Sequence, residues 1–146
     1  GESVGMAMTT PRRRIEAACA RRGRGVVVAA CVAALGGRVP DDDLLVVLGG
    51  DHGRGYLDGV PPGHEYWIRV WGARGLLWAG PADAAEPVRA ALGDEHWRVR
   101  EMTCKVVARH LLGDLLADVA AMRTDPVVRV RTAATRAVEA LVAADA

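Results

Sequence analysis

The chain has 146 residues, 51% of them hydrophobic, and a formal net charge of +1. That length builds an ordinary single core of about 100–200 residues without disulfides or metal, and the near-zero balance excludes a polycation. With 26 Ala, 20 Val and 18 Arg against one Lys, no Asn, and Ser3 as the sole serine, an N-glycosylation sequon and serine-hydrolase chemistry are excluded as well.

Residues 1–10 are expected to be disordered or foreign to the fold, which leaves 11–146 as a single domain. The first predicted helix, Arg12–Arg22, is amphipathic. A second, Gly25–Gly36, contains the unbroken apolar run Val26–Leu35. Ten residues are half of the ~20 needed to span a membrane. The helix between Arg12–Arg14 and this run argues against a secretory leader, so a cytoplasmic location is expected. Pro40 and the acidic run Asp41–Asp43 open a third helix, Asp41–Leu48, because negative charge suits a helix N-terminus.

A Gly/Pro-rich loop, 51–63, separates that helix from one beginning near His64 and ending at Ala79. Asp51, His52, Asp58 and His64 bracket the loop, but none of the four histidines shows metal-ligand spacing, and no metal or cofactor is expected. The loop glycines form no phosphate-binding pattern. Helices Ala82–Leu92, Glu95–His110, Asp114–Arg123 and Pro126–Ala143 follow. Asp94 and Asp125 are placed at the N-caps of the longer pair, with Pro126 at the first helical position. Cys19, Cys31 and Cys104 lie in Ala/Val-rich helical stretches with no close pair, as apolar filler would.

The chain repeats itself. The segment from Asp94 aligns without gaps on the segment from Asp125, an offset of 31 residues: Arg98 meets Arg129, Val99-Arg100 meets Val130-Arg131, and Lys105 meets Arg136. One further step back, Ile68-Arg69 falls on Val99-Arg100. Each unit is a short helix followed by a longer one, and a single such pair cannot bury its apolar face alone. The prediction is therefore an all-α, α-solenoid arrangement of about four antiparallel helical pairs: about 11–37, 41–79 with the inserted loop 51–63, 82–110 and 113–144.

An Asp at the turn followed by Val-Arg in the second helix resembles the HEAT repeat, including its shorter bacterial PBS-lyase variety. The resemblance covers about 82–143 well and 41–79 moderately. It implies a hydrogen-bonded ladder between the turn Asp and the Arg six residues on: here Asp94 with Arg100, and Asp125 with Arg131. Arg69 has Gly63 in place of that Asp, so the ladder is expected to stop there.

At about 100° per residue, Ile68, Leu76, Val99, Val107, Val130 and Leu141 fall on the core stripe. The adjoining face of the second helices holds Trp67, Trp71, Arg74 and Trp78, then Arg98, Met102, Lys105 and Arg109, then Arg129 and Arg136. In HEAT-like solenoids this face lines a concave groove. Trp and Arg are the usual anchors of protein interfaces, so the expected function is a non-enzymatic protein-binding scaffold, with homo-oligomerisation through the Trp-rich middle as a variant. The alternative is a nucleic-acid-binding protein, in which Arg neutralises phosphates and Trp stacks on bases. The N-terminal arginines would contribute to that alternative. HEAT-like alkylpurine DNA glycosylases catalyse in such a groove with Trp and an acid. Helical phase turns Glu101 and Glu139 off this face, so no enzyme is expected.

Overall fold

A computed structural model describes residues 9–81 and 83–146. Residues 1–8 and Ala82, and the expectations that fall on them, lie outside the described residues. Every regular element among the described residues is helical, and the chain divides into two compact units between Gly80 and Pro81. No helix among them is long and apolar enough to cross a membrane.

The first unit contains α1 (Pro11–Arg22), α2 (Arg24–Leu35), α3 (Asp42–Arg54) and α4 (Tyr66–Ala79). Thr10 caps α1 by accepting the Arg13 N–H at 3.2 Å, and Pro11 occupies a first-turn position where a missing N–H costs nothing. Asp41 caps α3 by accepting the Leu44 N–H at 2.9 Å. Helix α3 continues past the expected end at Leu48 to Arg54, across a kink at Gly50 (φ 61, ψ −141). This left-handed geometry is one that glycine adopts without a Cβ penalty.

Helices α2 and α4 pack backbone to backbone. A Cβ placed on Gly72 would lie 2.6 Å from the Leu35 nitrogen and 2.7 Å from the Cys31 oxygen. Only a residue without a side chain lets the two helices approach this closely. Cys31 is fully buried in the same contact, and burial, followed by the influence of Cys19, pushes its thiol up to about 12.

The second unit contains α5 (Ala85–Leu92), α6 (Trp97–His110), α7 (Leu116–Ala121) and α8 (Val128–Asp145). The helix expected at Asp114–Arg123 is a composite, with a 3-10 turn (Gly113–Leu115) before α7 and another (Met122–Thr124) after it. Val88, Val99, Val106, Val107, Leu115, Val119, Val130 and Ala134 are fully buried and form its core.

Both turn aspartates lie two residues before the N-caps they were expected to be. Asp94 accepts the His96 N–H at 2.8 Å, and Asp125 accepts the Val127 N–H at 2.9 Å. Each is an Asx turn that reaches the backbone two residues on. The N-caps are consequently His96 and Val127, and Pro126 precedes its helix instead of opening it.

Candidate functional site

In the first unit, α4 presents Trp67, Trp71, Arg74 and Trp78, but these do not form one open face. Trp71 is only 2% exposed. Its ring lies on Gly49, where a Cβ would come within 2.8 Å of it, and Gly53 is pressed against the Leu45 carbonyl across the kink. Tyr56 and His52 close over the same ring at centroid distances of 5.5 and 5.0 Å, and Trp67 lies 6.2 Å from it. The segment expected to be a solvated loop folds back over α4 and takes Trp71 into the core. Trp78 is half-buried, with the Arg12 guanidinium 5.1 Å from its ring.

Arg74 is likewise turned inward. Its Nη2 donates to the Leu48 carbonyl at 2.5 Å, and among the described residues its Nε finds no acceptor. Arg14 serves the neighbouring carbonyl, donating from Nε to Val47 at 3.0 Å. The kink at Gly50 frees these carbonyls, and the negative end of the first part of α3 favours cations there. Burial, then the proximity of Arg14, lowers Arg74 to about 10. Trp71 and Arg74 are therefore committed to packing and hydrogen bonding within the first unit, which takes the central ring of the Trp-rich middle out of the surface.

Three further N-terminal arginines are also committed. Arg21 meets Asp43 at 2.9 Å, Arg22 meets Asp41 and Asp43, and Arg24 donates to the Ala79 carbonyl. These bonds fasten α1 to the start of α3, and the start of α2 to the end of α4.

Two of the loop histidines do meet. The Tyr56 hydroxyl lies 2.8 Å from His52 Nε2 and 2.8 Å from His64 Nδ1. It carries one proton, so it donates to one ring and accepts from the other. No group of three or more metal-ligating side chains occurs among the described residues. Burial, then His64, then Arg74 lowers His52 below its ordinary 6.5. The unfolded chain therefore binds this proton more readily than the folded one. The stability contribution is complete above pH 6.5 and is lost as pH falls below it. The first unit's melting midpoint is expected to drop between about pH 7 and 5, and His52→Gln is expected to flatten that drop. Identical profiles for parent and variant would contradict this.

In the second unit the site is built on α6 and α8. Arg100 bridges the two turns. Its Nε and Nη2 donate to the Asp125 carboxylate at 2.9 and 3.2 Å, and its Nη1 donates to the Asp94 carbonyl at 2.9 Å. Arg131 repeats the last of these bonds on Asp125 at 2.7 Å. Burial alone would raise the Asp125 carboxyl, but bonds from Arg100 and the Val127 N–H outweigh it and hold the carboxyl below its ordinary value.

Beside this bridge, Trp97 lies half-buried with two guanidiniums against its ring. Arg98 is 4.6 Å from its ring centroid and Arg129 is 5.0 Å. Each such contact is worth about 0.5–2 kcal/mol. Arg129 also forms a two-pronged pair with Glu101, at 2.9 and 3.2 Å, and Glu101 is buried. The expectation of a face without a carboxylate fails here. Arg129 stands beside Arg98 in the repeat register, and Glu101 is only one turn beyond, within reach of a long side chain. Lys105, Arg109 and Arg136 are exposed further along the two helices, and Met102 is half-buried.

Trp97 was not singled out from sequence, and Glu101 was placed off this face. The signal for Glu101 was present in the register of Arg129. Trp97 stands at the helix start, one residue off the expected face.

The described residues define an all-α chain with helical-repeat-like units. No protein-family model, curated protein or solved structure matches it.

Proposed function

We propose that this chain is a HEAT-like repeat protein acting without catalysis as a binding scaffold, and that the α6–α8 face takes an acidic segment of another protein. One observation carries the reading: Trp97 is contacted by both Arg98 and Arg129, with Lys105, Arg109 and Arg136 exposed along the same helices. Aromatic rings and arginines held in place before binding are the side chains that dominate interface energies. The 31-residue offset and the Arg100 bridge between successive turns support the HEAT-like part of the reading.

The same cations suit a nucleic acid, but charge favours the protein partner. Residues 81–146 carry nine basic and ten acidic side chains, 9 − 10 = −1. A long polyanion would meet those acids, whereas a short acidic segment fits the local patch.

The test is fluorescence anisotropy with a labelled oligoglutamate and a labelled oligothymidylate at about 50 and 200 mM salt. The peptide is expected to bind the more tightly at both, and Lys105→Glu with Arg136→Glu to weaken it about tenfold or more. Tighter, salt-steep binding of the oligonucleotide would replace the reading with nucleic-acid recognition. Binding of neither probe would overturn both.

A further inference from the structure

Helix α8 has a second outward stripe, distinct from the cationic face. Val128, Arg131, Thr135, Glu139 and Val142 follow one another at three- and four-residue steps, with Thr132 beside them on the same side of the helix. Val128 and Val142 are 62% and 56% exposed, the highest values among the large apolar side chains described.

One repeat earlier, the same stripe of α6 is an interface. Arg100, Glu101 and Cys104 occupy the positions of Arg131, Thr132 and Thr135. Arg100 is taken up by Asp125, Glu101 by Arg129 and Cys104 by Met122. Arg131 is anchored on the Asp125 carbonyl just as Arg100 is on that of Asp94. Among the described residues, no carboxylate meets its other nitrogens and Glu139 forms no ion pair.

The stripe is self-complementary about Thr135. Val128 and Val142 stand seven residues to either side, and Arg131 and Glu139 four to either side. We propose that α8 pairs with α8 of a second copy of this chain, antiparallel, across a two-fold axis at Thr135. Arg131 of each copy then meets Glu139 of the other. Val128 of each meets Val142 of the other, at the edge of an apolar groove lined by Leu111, Leu116 and Leu141. Such a contact is isologous, so each residue pair occurs twice. Thr135 is small enough for the helices to cross closely. One helix pair with a flanking groove falls below about 1,200 Å², at the small end of specific interfaces, so a weak dimer with a dissociation constant on the order of tens of micromolar is expected.

Sedimentation equilibrium on the full chain at rising concentration tests this. A monomer–dimer equilibrium is expected. Glu139→Arg and Val142→Glu are each expected to weaken it about tenfold or more, because the first sets like charges against each other and the second puts a carboxylate in the apolar contact. Mixing Arg131→Glu with Glu139→Arg restores both ion pairs and is expected to give a dimer of the two variants with the parent's affinity. Arg131 also anchors its own turn, so Arg131→Glu is checked by circular dichroism. If that variant does not fold, Glu139→Arg and Val142→Glu decide on their own. A chain that stays monomeric at about ten times the expected constant overturns the proposal. So does a dimer that both exposed variants leave intact.

Discussion

Replacing Gly72 by alanine is expected to weaken the first unit by about 2 kcal/mol or more, as read from chemical denaturation followed by tryptophan fluorescence. The added methyl would meet backbone on several sides: the Leu35 nitrogen at 2.6 Å, the Cys31 oxygen at 2.7 Å and the Ala34 carbonyl carbon at 3.0 Å. None of these can rotate away, so α2 and α4 must separate along their length. Alanine gains about 1 kcal/mol over glycine in helix propensity, which offsets only part of an overpacking cost at the top of its usual range. Gly25→Ala is the control, since its added Cβ meets nothing within 4 Å. That variant is expected to be neutral or to gain up to about 1 kcal/mol. Equal stabilities for the two variants would contradict the close packing of these helices.

Arg100→Met is expected to cost the second unit about 3–5 kcal/mol at neutral pH. The Arg100 side chain is 16% exposed and that of Asp125 8%, so the substitution leaves a nearly buried carboxylate without its partner. It also strips bonds from the Asp94 and Glu95 carbonyls. Arg100→Lys is expected to recover only part of the loss, because an ammonium cannot reproduce the two-pronged pair. The Asp125 carboxyl is held below its ordinary 3.8, so its contribution is present above that value and lost as pH falls below it. The gap between parent and Arg100→Met is therefore expected to narrow in acid. A gap that stays constant down to about pH 2.5 would place the cost elsewhere.

The helices were legible because their determinants are local. Thr10-Pro11, Asp41 and the Val-Arg steps at 99–100 and 130–131 act through their nearest neighbours, and the 31-residue offset exposes the shared template. The turn aspartates were misplaced by two residues because an Asx turn and an N-cap use the same side chain and differ only in where the backbone becomes helical. Helix phase put Trp71 and Arg74 on an outward face. It carries no information on what returns over them, and the Gly49, Gly50 and Gly53 set that admits the Trp71 ring reads in sequence as a loop. The approach of Arg129 to Glu101 escaped for a related reason, since phase fixes where a Cβ points and not how far a guanidinium reaches.

The proposed working surface is the α6–α8 face around Trp97 and not the α4 tryptophans. The most direct measurement is a heteronuclear NMR titration with an oligoglutamate, following the four indole N–H signals. The Trp97 indole and the amides around Arg98, Lys105 and Arg129 are expected to shift together, with Trp67, Trp71 and Trp78 unmoved. Shifts centred on Trp67 and Trp78, with Trp97 still, would contradict the account.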